Sequence, residues 1–205
     1  MKVLIADDHA IVRRGIIQVI KDEMPGTQLG EASRESEIIE RIAKEPWDVL
    51  LLDIGLPARS GLEILRDVRV KKPNLPVLML TVYGEEQYAQ RAREYGASGY
   101  LTKDAAPELI CKAIREVAAG RTFFTESPAI PPRSGDPNSP ESKLSDREEQ
   151  VLRLLASGLT AKEIAAQLNL SIKTVSTYRT RALSKLGLQR TGELIAYGVR
   201  RGLGA

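Results

Sequence analysis

The chain has 205 residues, of which 42% are hydrophobic and 28% are charged, so it is long enough for one large domain or two small ones. Its net charge of +3 combines two unequal parts, since residues 1–126 contain 18 Lys and Arg against 20 Asp and Glu, whereas residues 127–205 contain 12 against 7. Apolar runs of only four residues exclude a membrane-spanning helix, and a single cysteine and a single histidine exclude an internal disulfide and a Cys/His zinc cluster, so we expect a cytoplasmic protein.

The first part of the chain alternates short apolar runs with stretches of helical periodicity. The pattern predicts strands at residues 3–6, 28–32, 49–52, 77–80 and 99–101, and helices at residues 11–21, 36–44, 62–71, 85–95 and 107–119. Five alternations of strand and helix are typical of an α/β fold, in which a doubly wound, five-stranded parallel sheet carries helices on both faces. Continuous apolar runs in the strands agree with a sheet that is covered on both sides.

A proline-rich segment separates this first part from the rest of the chain. Residues 127–143 contain five prolines, one isoleucine and no aromatic residue, a composition that buries too little apolar surface to fold by itself. We therefore predict a first domain at residues 1–122, a linker at residues 123–142 and a separate second domain at residues 143–205.

The second domain is predicted to be all-α, with helices at residues 146–157, 161–168, 172–186 and 191–201. Ser145 with Glu148, and Thr160 with Glu163, have the spacing of capping boxes, which mark the beginning of a helix. A short helix, a tight turn at residues 169–170 and a longer helix form the helix-turn-helix arrangement, whose second helix enters the major groove of DNA.

Reactive side chains follow four of the strands predicted in the first domain, namely Asp7 and Asp8, Asp53, Thr81 and Lys103. Because the carboxyl ends of parallel strands meet at one edge of a sheet, we expect these groups to share a crevice. Neighbouring carboxylates repel one another unless a cation compensates, and oxygen ligands favour Mg²⁺. A carboxylate beside Mg²⁺ is a suitable acceptor of a phosphoryl group. Taken singly, an Asp pair after a strand is more often a helix cap, and a lone Thr or Lys is more often a turn or surface residue.

Several motifs around this crevice match one known family: Asp7-Asp8, Asp53-Ile54-Gly55-Leu56-Pro57 with Gly61, Leu80-Thr81, and Gly99-Tyr100-Leu101-Thr102-Lys103. Through them, residues 1–122 resemble the receiver domain of bacterial response regulators, which has a flavodoxin-like fold. The resemblance implies that Asp53 is the phosphoacceptor, and that Mg²⁺ is held by Asp7, Asp8, Asp53 and the backbone carbonyl of Gly55. It also implies that the phosphoryl-binding and switch residues are Thr81, Val82, Tyr100 and Lys103.

Two residues depart from the pattern of the receiver family. Val82 stands where many receivers have a small residue after the threonine, and a larger side chain there narrows the access for water or a phosphatase. Asp104 stands where many receivers have a proline. We expect a trans peptide bond between Lys103 and Asp104, because a cis bond before a residue other than proline costs ~2.5–4 kcal/mol.

The predicted recognition helix lies in the most basic part of the chain. From Ser171 onward, seven Lys and Arg stand against Glu193 alone, a balance that suits binding to a phosphate backbone. On charge alone, the alternative is a solvated basic face with no role in DNA binding. We predict contacts to DNA bases by Ser176, Thr177 and Thr180, and contacts to the DNA backbone by Lys162, Lys173, Thr174, Tyr178, Arg181 and Lys185.

Motifs of the second domain match a second family: Leu144-Ser145-Asp146-Arg147-Glu148, Gly158-Leu159-Thr160-Ala161-Lys162-Glu163-Ile164-Ala165, Lys173-Thr174-Val175-Ser176-Thr177-Tyr178 and Lys185-Leu186-Gly187. Residues 143–203 thereby resemble the LuxR-type DNA-binding domain, with a recognition helix similar to that of the BvgA and EvgA type. The whole chain resembles the response regulators of the NarL/FixJ class. This resemblance implies a two-component transcription regulator that accepts a phosphoryl group from a sensor histidine kinase and binds promoter DNA as a homodimer.

Two other functions stay open from the residues alone. The crevice also suits a phosphohydrolase, but Gly55 lies two residues after Asp53, where such an enzyme needs a general acid or base. We therefore expect no enzyme activity beyond self-phosphorylation from a phosphodonor and slow autodephosphorylation. A constitutive DNA-binding protein with an inactive receiver is the other alternative, and the complete acidic set argues against it. The last helix either forms a dimer contact or packs onto its own domain through Leu194, Ile195 and Val199.

Overall fold

The computed structural model describes residues 1–57, 59–81, 86–124, 144–168 and 170–203, and the chain divides into two compact units, Met1–Ala129 and Ile130–Ala205. The proline-rich segment at residues 127–143 lies outside the described residues, so the exact domain boundaries stay predictions. Within the described ranges, no helix combines the length and the apolar character that crossing a membrane requires.

Strands and helices alternate along the first unit. All strand pairs are parallel and follow the order β2-β1-β3-β4-β5-β6, which confirms the predicted doubly wound α/β sheet. The strands are β1 (Lys2–Ala6), β2 (Gln28–Ala32), β3 (Val49–Asp53), β4 (Val77–Thr81), β5 (Gly99–Thr102) and β6 (Phe123–Phe124). The helices are α1 (Ala10–Glu23), α2 (Glu35–Lys44), α3 (Gly61–Lys71), α4 (Glu86–Glu94) and α5 (Pro107–Ala118).

A sixth strand corrects the predicted count of five. β6 consists only of Phe123 and Phe124, and two residues are too few to be recognised from the alternation of side chains. Phe123 pairs with Gly99 of β5, where a Cβ atom would lie 2.6 Å from the Phe123 carbonyl oxygen. Because Gly99 has no side chain, the last strand can approach β5, and the sheet continues past residue 122.

Alternate residues of the central strands enter two separate apolar cores. In β3, Leu50 and Leu52 share a core with buried residues of α2, α3 and α4, whereas Val49 and Leu51 share one with α1 and α5. Each such fully buried side chain contributes about 1.5–3 kcal/mol to folding. Helices on both faces therefore hold the central strands rigidly and fix the edge at which their carboxyl ends meet.

The second unit is helical where the structure describes it. Its helices are α6 (Asp146–Ala156), α7 (Ala161–Gln167), α8 (Ile172–Leu186) and α9 (Thr191–Arg200), and each begins and ends within one residue of its predicted limit. Both capping boxes are present, since the hydroxyls of Ser145 and Thr160 accept hydrogen bonds from the backbone N–H groups of Glu148 and Glu163. Residues from all four helices form the buried core, among them Leu152, Ile164, Val175, Ala182 and Leu194.

Candidate functional site

The predicted carboxylates meet where the central strands of the first unit end. Asp53 is the last residue of β3 and Asp7 follows β1, and these two strands pair side by side. One potential ligand atom from each of Asp7, Asp8, His9 and Asp53 lies within 4.8 Å of the others. Asp7 and Asp53 are buried, and Asp53 is only 2% exposed. The three carboxylates of this cluster are oxygen donors that fit a hard divalent cation.

The ammonium group of Lys103 lies between two of these carboxylates, 2.7 Å from Asp7 Oδ2 and 2.8 Å from Asp53 Oδ2. Burial by itself would lower the pKa of Lys103, but the charge of Asp53 and the hydrogen bonds to both carboxylates outweigh burial, so the pKa is raised. The pKa of Asp53 is also raised, mainly by burial, with the Lys103 charge opposing this effect and the Asp7 charge adding to it. A single ammonium cannot balance three carboxylates, and the remaining negative charge favours a further cation.

Short backbone contacts fix the direction of the carboxylates. Asp53 Oδ1 accepts a hydrogen bond from the Gly55 N–H at 2.9 Å, and Asp7 Oδ1 accepts one from the His9 N–H at 2.7 Å. At Gly61, the first residue of α3, a Cβ atom would lie 2.1 Å from the Asp53 carbonyl oxygen. The glycine therefore allows α3 to begin directly against Asp53. Gly55, the predicted backbone ligand, lies beside the carboxylate, since a Cβ atom there would be 3.1 Å from Asp53 Oδ2.

Arg13 also belongs to this site, although its sequence position does not predict it. Its Nη1 donates to the backbone carbonyl of Asp7 at 2.6 Å, and its Nε donates to Glu31 Oε2 of β2 at 2.7 Å. The guanidinium thus joins α1, the edge strand β2 and the loop that carries Asp7 and Asp8. His9, the residue that precedes α1, lies with Nδ1 2.9 Å from Asp8 Oδ1.

The predicted switch residues lie on neighbouring strands. Thr81 is fully buried at the end of β4, and its carbonyl accepts a hydrogen bond from the Lys103 N–H at 2.6 Å. Tyr100 is only 4% exposed, and its side chain belongs to the apolar core that also contains Leu50 and Leu52. In the sheet, Tyr100 pairs with Phe124 of β6. The Lys103–Asp104 peptide bond is trans, as expected. Val82 lies outside the described residues.

Most predicted DNA contacts of the second unit are accessible. On α8, Lys173, Thr177, Thr180 and Arg181 are exposed, and Ser176 is half-buried. Thr174 is also half-buried; its N–H donates to the Ser171 hydroxyl at 3.0 Å, so it belongs to the cap that begins α8. Lys162 is exposed on α7.

Two residues that were predicted to contact the DNA backbone are engaged within the second unit, one in an ion pair and one in the buried core. The Lys185 ammonium lies 2.6 Å from Oε2 of Glu148, a buried carboxylate of α6, so its positive charge is offset by this ion pair although its side chain is 40% exposed. Tyr178 is only 9% exposed and lies with Val175 and Ala182 on the buried face of α8. The spacing of Tyr178 from Val175 and Ala182 is that of the core face, and the prediction of a backbone contact did not take this spacing into account.

Comparison with known protein families agrees with both parts of this description. Residues 3–115 match the response regulator receiver domain, and residues 142–197 match the bacterial regulatory proteins of the luxR family. The response regulator UvrY of Escherichia coli K12 is 35% identical over 210 residues, which cover 99% of this chain and 95% of UvrY. The DNA-binding transcriptional activator DevR/DosR of Mycobacterium tuberculosis is 35% identical over 195 residues, which cover 93% and 90%.

Solved structures show the same similarity over nearly the full length. The RcsB response regulator of Salmonella typhimurium aligns with a TM-score of 0.56 and 29% identity, covering 96% of this chain and 97% of RcsB. A structure of two RcsB dimers bound to two parallel DNAs aligns with a TM-score of 0.57 and 29% identity, covering 96% of each chain. The chain belongs to the response regulators of the NarL/FixJ class, which join a receiver domain to a LuxR-type DNA-binding domain.

Proposed function

We propose that this chain is a transcription regulator that is switched by phosphorylation of Asp53. A sensor histidine kinase supplies the phosphoryl group from a phosphohistidine, and the phosphorylated chain binds promoter DNA as a homodimer. The observation that carries the proposal is the position of Asp53, a buried carboxylate at the end of β3 with Asp7 and the Lys103 ammonium beside it. The RcsB dimers on DNA are the precedent for the dimer.

The side chains around Asp53 have distinct roles in this transfer. The Asp53 carboxylate attacks phosphorus, the bond from phosphorus to the histidine nitrogen of the donor breaks, and an acyl phosphate forms. Asp7, Asp8, Asp53 and the Gly55 carbonyl would hold Mg²⁺, which supplies positive charge next to the phosphoryl oxygens when it is bound. The raised pKa of Lys103 keeps its ammonium charged, so it donates hydrogen bonds to the phosphoryl group.

The reaction at Asp53 is a single transfer rather than catalytic turnover. Hydrolysis of the acyl phosphate requires a group that activates water, and Gly55, two residues after Asp53, offers only its backbone. We therefore propose slow autodephosphorylation, which keeps the regulator in its phosphorylated state long enough to act on DNA.

The phosphoacceptor is tested by replacing Asp53 with Asn and incubating the full chain with Mg²⁺ and radiolabelled acetyl phosphate or a phosphorylated kinase. Labelling should fall to background, because an amide is not a nucleophile towards phosphorus. Asp104→Asn changes an exposed carboxylate close to the same site and is the matched control, which should label like the wild type. Labelling of the Asp53→Asn variant at the normal rate would contradict the proposal.

Phosphorylation is proposed to act through Thr81 and Tyr100. Thr81 is buried at the end of β4, and Tyr100 is buried in the neighbouring strand β5, two residues before its end. A bound phosphoryl group attracts the Thr81 hydroxyl, which favours one of two receiver conformations. The favoured conformation dimerises, so two helix-turn-helix units can bind two half-sites about one helical turn apart. In the proposed interface, the DNA bases are contacted by Ser176, Thr177 and Thr180. The DNA backbone is contacted by Lys162, Lys173, Thr174 and Arg181.

The dimer is tested by analytical ultracentrifugation of the full chain with and without beryllofluoride, a mimic of the phosphoryl group. We expect a shift from monomer towards dimer that is absent in Asp53→Asn. A monomer under both conditions contradicts the dimer, and equal DNA affinity of wild type and Asp53→Asn under phosphorylating conditions would favour constitutive DNA binding instead.

A further inference from the structure

Two threonines on the exposed face of α8 use their hydroxyl protons within the helix. Thr177 Oγ1 donates to the backbone carbonyl of Lys173 at 3.0 Å, and Thr180 Oγ1 donates to the backbone carbonyl of Ser176 at 2.9 Å. Both threonines are exposed, so these bonds are not forced on them by surrounding side chains. Threonine in a helix commonly adopts this conformation, because its hydroxyl reaches the carbonyl four residues earlier.

This conformation determines what the two side chains offer to a ligand. With its proton committed to a carbonyl, each hydroxyl oxygen can only accept a hydrogen bond. The methyl group lies at another corner of Cβ and is therefore turned away from the carbonyl that Oγ1 contacts. The face of α8 thus presents two methyl groups and two acceptors, and no donor, at the positions of Thr177 and Thr180.

Such a surface distinguishes between the base edges of the major groove. Guanine offers only acceptors there, N7 and O6, and these receive no proton from Thr177 or Thr180. Thymine alone offers a methyl group, which can pack against the methyl group of a threonine. The threonines therefore match thymine and do not match guanine.

We propose that Thr177 and Thr180 are specificity-determining residues that recognise the methyl groups of thymines. This inference rests on the proposed function, in which α8 enters the major groove. Residues three apart lie on the same face of a helix and are separated by about 4.5 Å along its axis. Thr177 and Thr180 can therefore contact the same base pair or neighbouring ones, while the exposed Lys173 and Arg181 beside them bind phosphates.

The test begins with selection of bound duplexes from random DNA by the full chain, treated with acetyl phosphate and Mg²⁺. Each thymine of the selected site is then replaced singly by deoxyuridine, which lacks only the methyl group, and affinity is measured by fluorescence anisotropy. We expect a loss of about fourfold at one or two adjacent positions, the effect of one buried methyl group. Replacement of thymines that flank the selected site is the control and should change nothing.

Matched variants then assign the effect to the two side chains. Thr177→Ser and Thr180→Ser remove the methyl group and keep the hydroxyl. Thr177→Val and Thr180→Val keep the methyl group and replace the hydroxyl by a second methyl group. The serine variants should lose about fourfold in affinity and no longer distinguish thymine from deoxyuridine at one position each. The valine variants should bind within about twofold of the wild type and retain that distinction. Circular dichroism and thermal melting verify that all four variants fold.

The outcomes separate this inference from the proposed function. Sequence-specific binding with equal affinity for thymine and deoxyuridine at every position overturns the inference and leaves the proposed function intact. A loss in the valine variants but not in the serine variants also overturns it, because the hydroxyl would then be the recognised group. Failure to select any sequence contradicts the proposed function and this inference together.

Discussion

The side chain of Lys103 stabilises a site whose carboxylates would otherwise repel one another. Its ammonium contacts both Asp7 and Asp53 at 2.7–2.8 Å, and all three side chains are shielded from water. A buried charge without a partner destabilises a fold by several kcal/mol, roughly 3–5 when one member of a pair is removed. The lysine therefore stabilises the fold in addition to its proposed role in phosphoryl binding, and we expect variants of Lys103 to change both properties together.

Arg13 offers a cleaner test of how the carboxylates are positioned. Arg13→Lys retains the charge, but one ammonium cannot replace the two separate contacts to the Asp7 carbonyl and to Glu31. We expect Mg²⁺ affinity, measured by isothermal titration calorimetry, to fall about 10-fold, as is typical when a residue supporting metal ligands is lost. Arg14→Lys, on the exposed side of the same helix, should bind Mg²⁺ like the wild type. Equal affinities in both variants would show that Arg13 does not position the site.

The sequence identifies the acidic residues and Lys103 of this site but not Arg13, for a physical reason. Asp7, Asp53 and Lys103 each follow a predicted strand, and parallel strands bring their ends together regardless of other details. Arg13 instead bonds a backbone carbonyl, a group that every residue possesses and that leaves no sequence signal. Its contact becomes visible only when the helix is oriented against the sheet.

At the scale of helices and strands, the beginning of α2 predicts a dependence of stability on pH. Hydrogen bonds lower the pKa of Glu37 from 4.5 to about 2, chiefly the one from the Ser33 N–H and then the one from Arg34. A pKa that is lower in the folded state stabilises the fold above pH 4.5, and this stabilisation is lost as the pH falls from 4.5 towards 2. Glu37→Gln should therefore lower the free energy of unfolding at neutral pH by about 1 kcal/mol or less.

Urea denaturation at pH 7 and pH 3 measures the difference in the free energy of unfolding between the wild type and Glu37→Gln. This difference should be smaller at pH 3 than at pH 7. Glu23→Gln, at the exposed end of α1, serves as the control for a change of one charge. An equal loss at both pH values in Glu37→Gln would contradict the assigned cause.

The lysines of α8 differ in what they contribute to DNA binding. Lys173 is exposed, so Lys173→Gln should weaken binding to specific and random duplexes alike and reduce the slope of log K against log salt by about one unit. Lys185→Gln should leave that slope unchanged, because the ammonium is paired with Glu148, and should instead lower the melting temperature of the second unit. If both variants reduced the slope of log K against log salt equally, Lys185 would be a phosphate contact despite its ion pair with Glu148.

These elements also differ in how well the sequence predicts them. The first residues of α6 and α7 are predicted correctly because each helix begins with a capping box, Ser145 with Glu148 and Thr160 with Glu163. A capping box is a local signal that the sequence shows directly. β6 is missed because its existence depends on Gly99, which lies more than twenty residues earlier in the chain. The pair of Glu148 and Lys185 spans 37 residues, so its effect on the charge of α8 follows only from the packing of α6 against α8.

At the scale of the whole molecule, the two units should respond differently to Mg²⁺. The predicted ligands all lie in the first unit, so Mg²⁺ should raise its unfolding temperature and leave the melting of the second unit unchanged. At a concentration 100 times the dissociation constant, the stabilisation amounts to about 2.7 kcal/mol. Differential scanning calorimetry of the full chain measures both transitions, with NaCl of equal ionic strength as the control. A similar shift in Asp8→Asn would show that Mg²⁺ acts elsewhere.

The hydrogen bond from the Lys103 N–H to the Thr81 carbonyl has a consequence for the character of the switch. The two side chains that would detect the phosphoryl group belong to strand ends that are joined through their main chains at 2.6 Å. We therefore expect a displacement of one strand end to favour a displacement of the other. Packed and hydrogen-bonded elements of this kind have discrete arrangements rather than a continuum. The receiver should accordingly respond cooperatively, with a sharp change between two states instead of a graded one.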